Sequence, residues 1–133
     1  MSIRESVQWP RTSMWSWPAV AESIPAARRA VVGFLEQREA GPYGDVALAV
    51  SEAVTNVVQH AYREDGRGVF RLAVERSGEE IVIEVSDDGR GMQPRQRSSG
   101  AGLGMPLMAT LSDGFEVEQP VSGGTRVRIP FRQ

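Results

Sequence analysis

DVALAVSEAVTNVVQHAY, residues Asp45 to Tyr62, has the spacing of one amphipathic helix, and the rest of the chain is organised around it. On a period of about 3.6 residues Val46, Val50, Ala53, Val54, Val57 and Ala61 fall on one side. Glu52, Asn56 and His60 follow one another four apart along an adjoining stripe, so a carboxylate, an amide and an imidazole stand in one row. Asp45 is placed to cap the helix, with Pro42 and Gly44 before it to break whatever precedes. Two roles are open to the polar stripe: a surface facing water, or one wall of a site.

On the amino-terminal side, Ser23 to about Glu39 forms an earlier helix, with Pro25 in its first turn, an apolar face of Val31, Val32, Phe34 and Leu35, and Gly41-Pro42 as the stop. Met14 to Val20 precedes it as a short strand that Pro18 confines to a sheet edge. Trp9, Trp15 and Trp17 are either packing residues or an exposed anchor. Residues 1–12 form a tail, and 13–133 one domain.

On the carboxy-terminal side the period changes from that of a helix to two. Val69 to Arg76 and Ile81 to Ser86 form a hairpin across Ser77 to Glu80, with Ile81, Ile83 and Val85 on one face and Val82, Glu84 and Ser86 on the other. Asp87 to Gly104 is rich in glycine and lacks periodicity. Met105 to Leu111 resumes a helical pattern, and Phe115 to Gln119 pairs with Thr125 to Phe131 across Ser122-Gly123-Gly124. This order predicts an α+β fold: a two-layer sandwich with a mixed, mostly antiparallel sheet and helices on one face.

Composition excludes several classes. The 133-residue chain carries a net charge of −2 and no basic run, which argues against direct nucleic-acid or anionic-membrane binding. There is no cysteine, which excludes a disulfide framework, and with one histidine a zinc site is not expected. All fifteen basic residues are arginine, which rules out a Walker A loop and the lysine of eukaryotic-type kinases. The amino terminus, MSIRESVQWPRTS, has no signal-peptide core, and no apolar run approaches the roughly 18 residues that span a bilayer. A cytoplasmic protein is expected.

Two glycine clusters supply candidate chemistry. In Asp87-Asp88-Gly89-Arg90-Gly91 the glycines let the backbone approach a ligand, and a carboxylate at the mouth of the turn can accept hydrogen bonds from an amine. An ordinary turn is the alternative. Gly100-Ala101-Gly102-Leu103-Gly104 precedes a helix, where freed backbone N–H groups make an anion site without lysine; a linker is the alternative.

Taken in order, Glu52-x3-Asn56-x3-His60, DxGxG at Asp87, GxGLG at Gly100 and Gly-Gly-Thr at Gly123 resemble the N box, the two glycine boxes and the closing Gly-Thr of the GHKL ATPase superfamily. Within it, EAVTNVVQHAY and a short lid look most like the bacterial anti-sigma factor serine/threonine kinases, over roughly Ser23 to Phe131. The resemblance implies ATP and Mg²⁺. Glu52 would be the general base, Asn56 the Mg²⁺ ligand, and His60 would lie near the phosphates. Asp87 would receive the adenine amine, supported by Thr125, with Gly89 and Gly91 against the base. Gly100, Gly102, Leu103 and Gly104 would belong to the ATP lid, with Arg95 or Arg97 neutralising phosphate charge. Gln59 departs from the basic residue that histidine kinases often carry there, and the Met92 to Ser99 lid is short. The implied function is an ATP-dependent regulatory serine kinase and anti-sigma factor that captures a sigma factor and phosphorylates an anti-sigma factor antagonist. The implied assembly is a homodimer, with the Trp15–Trp17 strand as its edge. A non-catalytic ATP-dependent binding module and a detached histidine-kinase catalytic domain remain as other functions compatible with these residues.

Overall fold

A computed structural model describes residues 12–61, 68–89, 112–121 and 123–133, with the backbone course alone for 60 and 61. Alternating apolar residues pair into one five-stranded sheet. Its strands are β1 (Thr12–Pro18), β2 (Val69–Ser77), β3 (Glu80–Asp87), β4 (Glu116–Glu118) and β5 (Thr125–Arg132). The spatial order is β1-β2-β3-β5-β4, and each neighbouring pair is antiparallel. The β2–β3 hairpin turns tightly at Gly78-Glu79, where Gly78 has φ +62 and so avoids the steric cost a side chain would meet.

The pleat sorts the sheet into two faces. Phe70, Leu72 and Val74 lie opposite Asp87, Val85 and Ile83, and these in turn face Thr125, Val127 and Ile129. That inner face is buried against two helices, α1 (Ser23–Glu36) and α2 (Tyr43–Asn56). The outer face carries charge: Arg128 donates to Glu84 at 2.7 Å, and Arg126 lies between Glu84 (3.6 Å) and Glu118 (3.5 Å). These partly exposed pairs set cross-strand register more than they add stability.

In α1, Ala27, Val31 and Leu35 recur every four residues and are buried. Ser23 starts the helix by donating its hydroxyl to the Pro18 carbonyl at 2.6 Å. The helix stops sooner than its spacing predicts, because Glu39 adopts φ 53 and the Ala40 N–H turns back to Leu35 O at 3.0 Å. Trp15 meets Phe34 of α1 edge-on at 5.6 Å and Trp17 lies 5.7 Å from Phe70 of β2, so both rings pack against the core rather than forming an outward anchor; Trp9 lies outside the described residues. Pro18 sits at the end of an edge strand, where its missing N–H breaks no ladder.

In α2, Val46, Ala49, Val50, Ala53 and Val54 are buried; alternating small and branched residues let the helix sit close to the sheet. Asp45 is not the cap. Pro42 is the last extended residue and accepts the Val46 N–H at 3.1 Å, which leaves Asp45 exposed in the first turn, where its charge still suits the helix dipole. The helix also ends differently: after Asn56 the chain widens into a π turn over Val57–Ala61. Glu52 and Asn56 lie one turn apart within α2, and the His60 backbone lies in the π turn. Near the carboxy terminus, the stretch read as Phe115 to Gln119 contributes three strand residues, Glu116–Glu118, on the edge beside β5.

Candidate functional site

Four polar or charged residues are buried among the described residues: Ser23, Asn56, Asp87 and Thr125. Ser23 is accounted for by its bond to Pro18 O. The other three are residues that the sequence singles out for ligand binding. They occupy the end of α2 and the adjoining ends of β3 and β5, and α2 packs on both of those strands.

Asn56, 6% exposed, closes α2 just before the π turn. Its Nδ2 is shut off from water without a hydrogen-bond partner. Leaving a buried amide donor unpaired costs about 1–3 kcal/mol, and a bound acceptor such as a phosphate oxygen would satisfy it. Glu52 stands one turn earlier, half-buried, with no hydrogen bond or ion pair among the described residues. Its neighbour Ser51 is tied instead, donating to Ala47 O at 2.9 Å and accepting from Arg28 of α1 at 3.3 Å, which holds the two helices in register.

Asp87 ends β3 on the inner face, opposite Thr125. Its carboxylate accepts the Gly89 N–H at 2.9 Å and the Thr125 N–H, so two backbone donors orient it. Burial raises its pKa above the ordinary 3.8, and those donors and Arg71 only partly offset the burial and the nearby Asp88 charge. Gly124 makes the arrangement geometrically possible: with φ +83, it lies so close to the end of β3 that a Cβ there would sit 1.9 Å from the Asp87 carbonyl oxygen. The sequence places Gly124 in a turn and in the Gly-Gly-Thr that resembles the closing Gly-Thr, but gives it no contact with Asp87.

The raised pKa carries a stability consequence. Below the unfolded value the carboxyl is neutral in both states; as pH rises above it, the unfolded chain releases its proton first and stability falls until the folded carboxyl also ionises. Asp87→Asn keeps an acceptor oxygen for the Gly89 N–H and removes the charge that burial penalises. The ligand-free variant is expected to melt higher than the parent at pH 7, with the difference narrowing towards acid pH. Thermal melts across pH test this, and an equal or lower melting temperature at pH 7 counts against it.

Gly91, Gly100, Gly102, Leu103, Gly104, Arg95, Arg97 and the Met105 to Leu111 helix lie outside the described residues, as does the His60 side chain; the His60 backbone lies in the π turn. Among the described residues no group of three or more His, Cys, Asp or Glu is arranged to hold a metal.

An antiparallel sheet backed by helices, with a buried amide at a helix end and a buried carboxylate at a strand end, is the arrangement that the resemblance to the GHKL ATPases implies. The chain belongs to the histidine kinase-like ATPase domain family, whose model matches residues 17–131. It is 38% identical over 116 residues to the anti-sigma F factor of Clostridium botulinum (strain Eklund 17B / Type B), covering 77% of this chain and 81% of that one. It is likewise 38% identical over 116 residues to the anti-sigma F factor of Thermoanaerobacter sp. (strain X514), covering 77% and 80%. The crystal structure of the RsbU and RsbW domains of Rv1364c from Mycobacterium tuberculosis shares the fold: TM-score 0.72 at 21% identity, over 92% of this chain and 32% of that one. No described helix is long and apolar enough to cross a membrane.

Proposed function

We propose that the chain is an ATP-dependent protein serine kinase and anti-sigma factor, which holds a sigma factor and phosphorylates a serine of an antagonist protein so that the antagonist lets go. The observation that carries this is the buried, unpartnered Asn56 amide one helical turn after a half-buried and unengaged Glu52. Family membership and the similarity to anti-sigma F factors support the partner class.

Asp87 would accept the adenine amine with the oxygen capacity its two N–H donors leave free, and Thr125 would hold it in place. Asn56 would hold Mg²⁺ through its amide oxygen while its unpartnered Nδ2 donates to a phosphate oxygen, and that ion, when bound, would draw negative charge off the phosphates. Glu52 would accept the serine Oγ proton as Oγ bonds to the γ-phosphorus; the bond from that phosphorus to the bridging β–γ oxygen breaks and ADP leaves. The homodimer would form along β1, whose outer edge has no strand partner among the described residues.

Incubation of the chain with labelled ATP, Mg²⁺ and candidate antagonist domains is expected to give an acid-stable phosphoserine. An acid-labile phosphohistidine would move the assignment to a histidine-kinase catalytic domain, and ATP binding without transfer to a non-catalytic binding module. Asp87→Asn is expected to weaken ATP by about 2 kcal/mol, the scale of a charge-assisted hydrogen bond. Unchanged ATP affinity in calorimetry would remove Asp87 from the adenine pocket.

A further inference from the structure

We propose that Arg71 is a positioning residue of the adenine pocket, holding Asp88 towards the outer face of the sheet and thereby fixing the turn from which Asp87 points inward. This rests on Asp87 being the acceptor of the adenine amine.

Arg71 stands on the outer face of β2, opposite Ser86. Its guanidinium forks onto Asp88, Nη1 donating to Oδ2 at 3.1 Å and Nη2 to Oδ1 at 2.9 Å. A two-pronged bond of this kind fixes the carboxylate's plane as well as its distance, which a point charge does not. On its other side the same stretch of chain is backed by Gly124: a Cβ there would lie 1.9 Å from Asp87 O and 3.0 Å from Asp88 Cα. Residues 87 and 88 are thus held between the β5 backbone and the Arg71 fork. The next residue, Gly89, gives its N–H to the Asp87 carboxylate, so movement at Asp88 displaces both the acceptor and one of the donors that orient it.

Charge works in the same direction. The Asp88 carboxylate disfavours ionisation of Asp87, and Arg71 favours it. Arg71 also holds Asp88 itself below the usual carboxylate range. The side chains of Arg71 and Asp88 are 37% and 72% exposed, so the pair adds little to stability, and its effect on the site comes through position.

The test measures binding of Mg-ATP and Mg-inosine triphosphate to the full chain by calorimetry. Inosine triphosphate has an oxygen where adenine has its amine. In Arg71→Gln and in Asp88→Asn, ATP is expected to bind roughly three- to fivefold more weakly, the scale of a well-formed exposed pair, with inosine triphosphate unaffected. The double variant is expected to lose no more than either single one. A purely structural role would weaken both nucleotides together; that result, unchanged ATP affinity in Arg71→Gln, or additive losses in the double variant overturns the inference. Asp87→Asn separates the two layers of the argument. If it abolishes the preference for ATP while Arg71→Gln leaves that preference intact, the clamp alone fails; if the parent shows no preference, or Asp87→Asn retains one, the adenine assignment fails and the clamp with it.

Discussion

Glu52→Gln is expected to bind Mg-ATP as the parent does and to transfer phosphate about 10²–10⁴-fold more slowly, the usual contribution of a positioned general base. The substitution keeps shape and length and removes only the ability to take a proton. It should cost little in folding, because Glu52 is half-buried and has no partner among the described residues to lose. Stability and chemistry are therefore separable here, as they are not at the buried Asn56, where loss of the amide would alter packing, metal binding and transfer together. Single-turnover transfer to an antagonist domain, with ATP affinity and melting temperature measured alongside, is the check. Transfer at the parental rate with ATP fully bound would deny Glu52 the role of base; loss of transfer accompanied by a lower melting temperature would mean a damaged helix instead.

The contrast between Glu52 and Asn56 also shows how far the sequence could be read. Periodicity identified the buried face of α2 at Val46, Val50, Ala53 and Val54, and alternation separated Ile81, Ile83 and Val85 from Glu84 and Ser86, because side-chain direction follows from local backbone geometry. Asn56 was placed on a stripe beside that face, yet it is buried. A helical wheel carries no information on how deeply the sheet embraces the helix end. The π turn after Asn56 was hidden for a related reason: a wheel assumes one period, and the chain changes it. The start of α2 at Tyr43 was missed because Asp45 is a better capping residue by type than Pro42 or its neighbours, while the turn before it decides where helical backbone begins.

Long-range pairing was less legible still. Nothing local says that β5 inserts between β3 and β4, bringing Thr125 beside Asp87, or that Arg71 reaches Asp88 seventeen residues away. The family resemblance supplied the pairing of Asp87 with Thr125. The Arg71 fork is not among the positions that resemblance carries and became visible only when β2 and β3 were laid side by side.

Gly124→Ala is expected to cost about 3 kcal/mol of folding free energy, roughly 10 °C in melting temperature, and to weaken ATP binding beyond what the stability loss alone would cause. Two penalties add. At φ +83 an alanine meets the left-handed steric cost of about 1–2 kcal/mol that glycine avoids. The new methyl would also lie 1.9 Å from Asp87 O and 2.9 Å from its carbonyl carbon, a contact no rotamer relieves because both partners are backbone. Overpacking of this kind costs about 1–3 kcal/mol as neighbours shift. What must shift is the end of β3 against the start of β5, where the Thr125 N–H orients the Asp87 carboxylate. Gly123→Ala is the internal control: φ is +103, so the conformational cost is present, but nothing lies within 4 Å of its Cβ. It should lose only about 1–2 kcal/mol and keep most of its nucleotide affinity. If the two alanines prove equally destabilising, backbone conformation alone accounts for both glycines, and the close approach of Gly124 to Asp87 has no part in shaping the site.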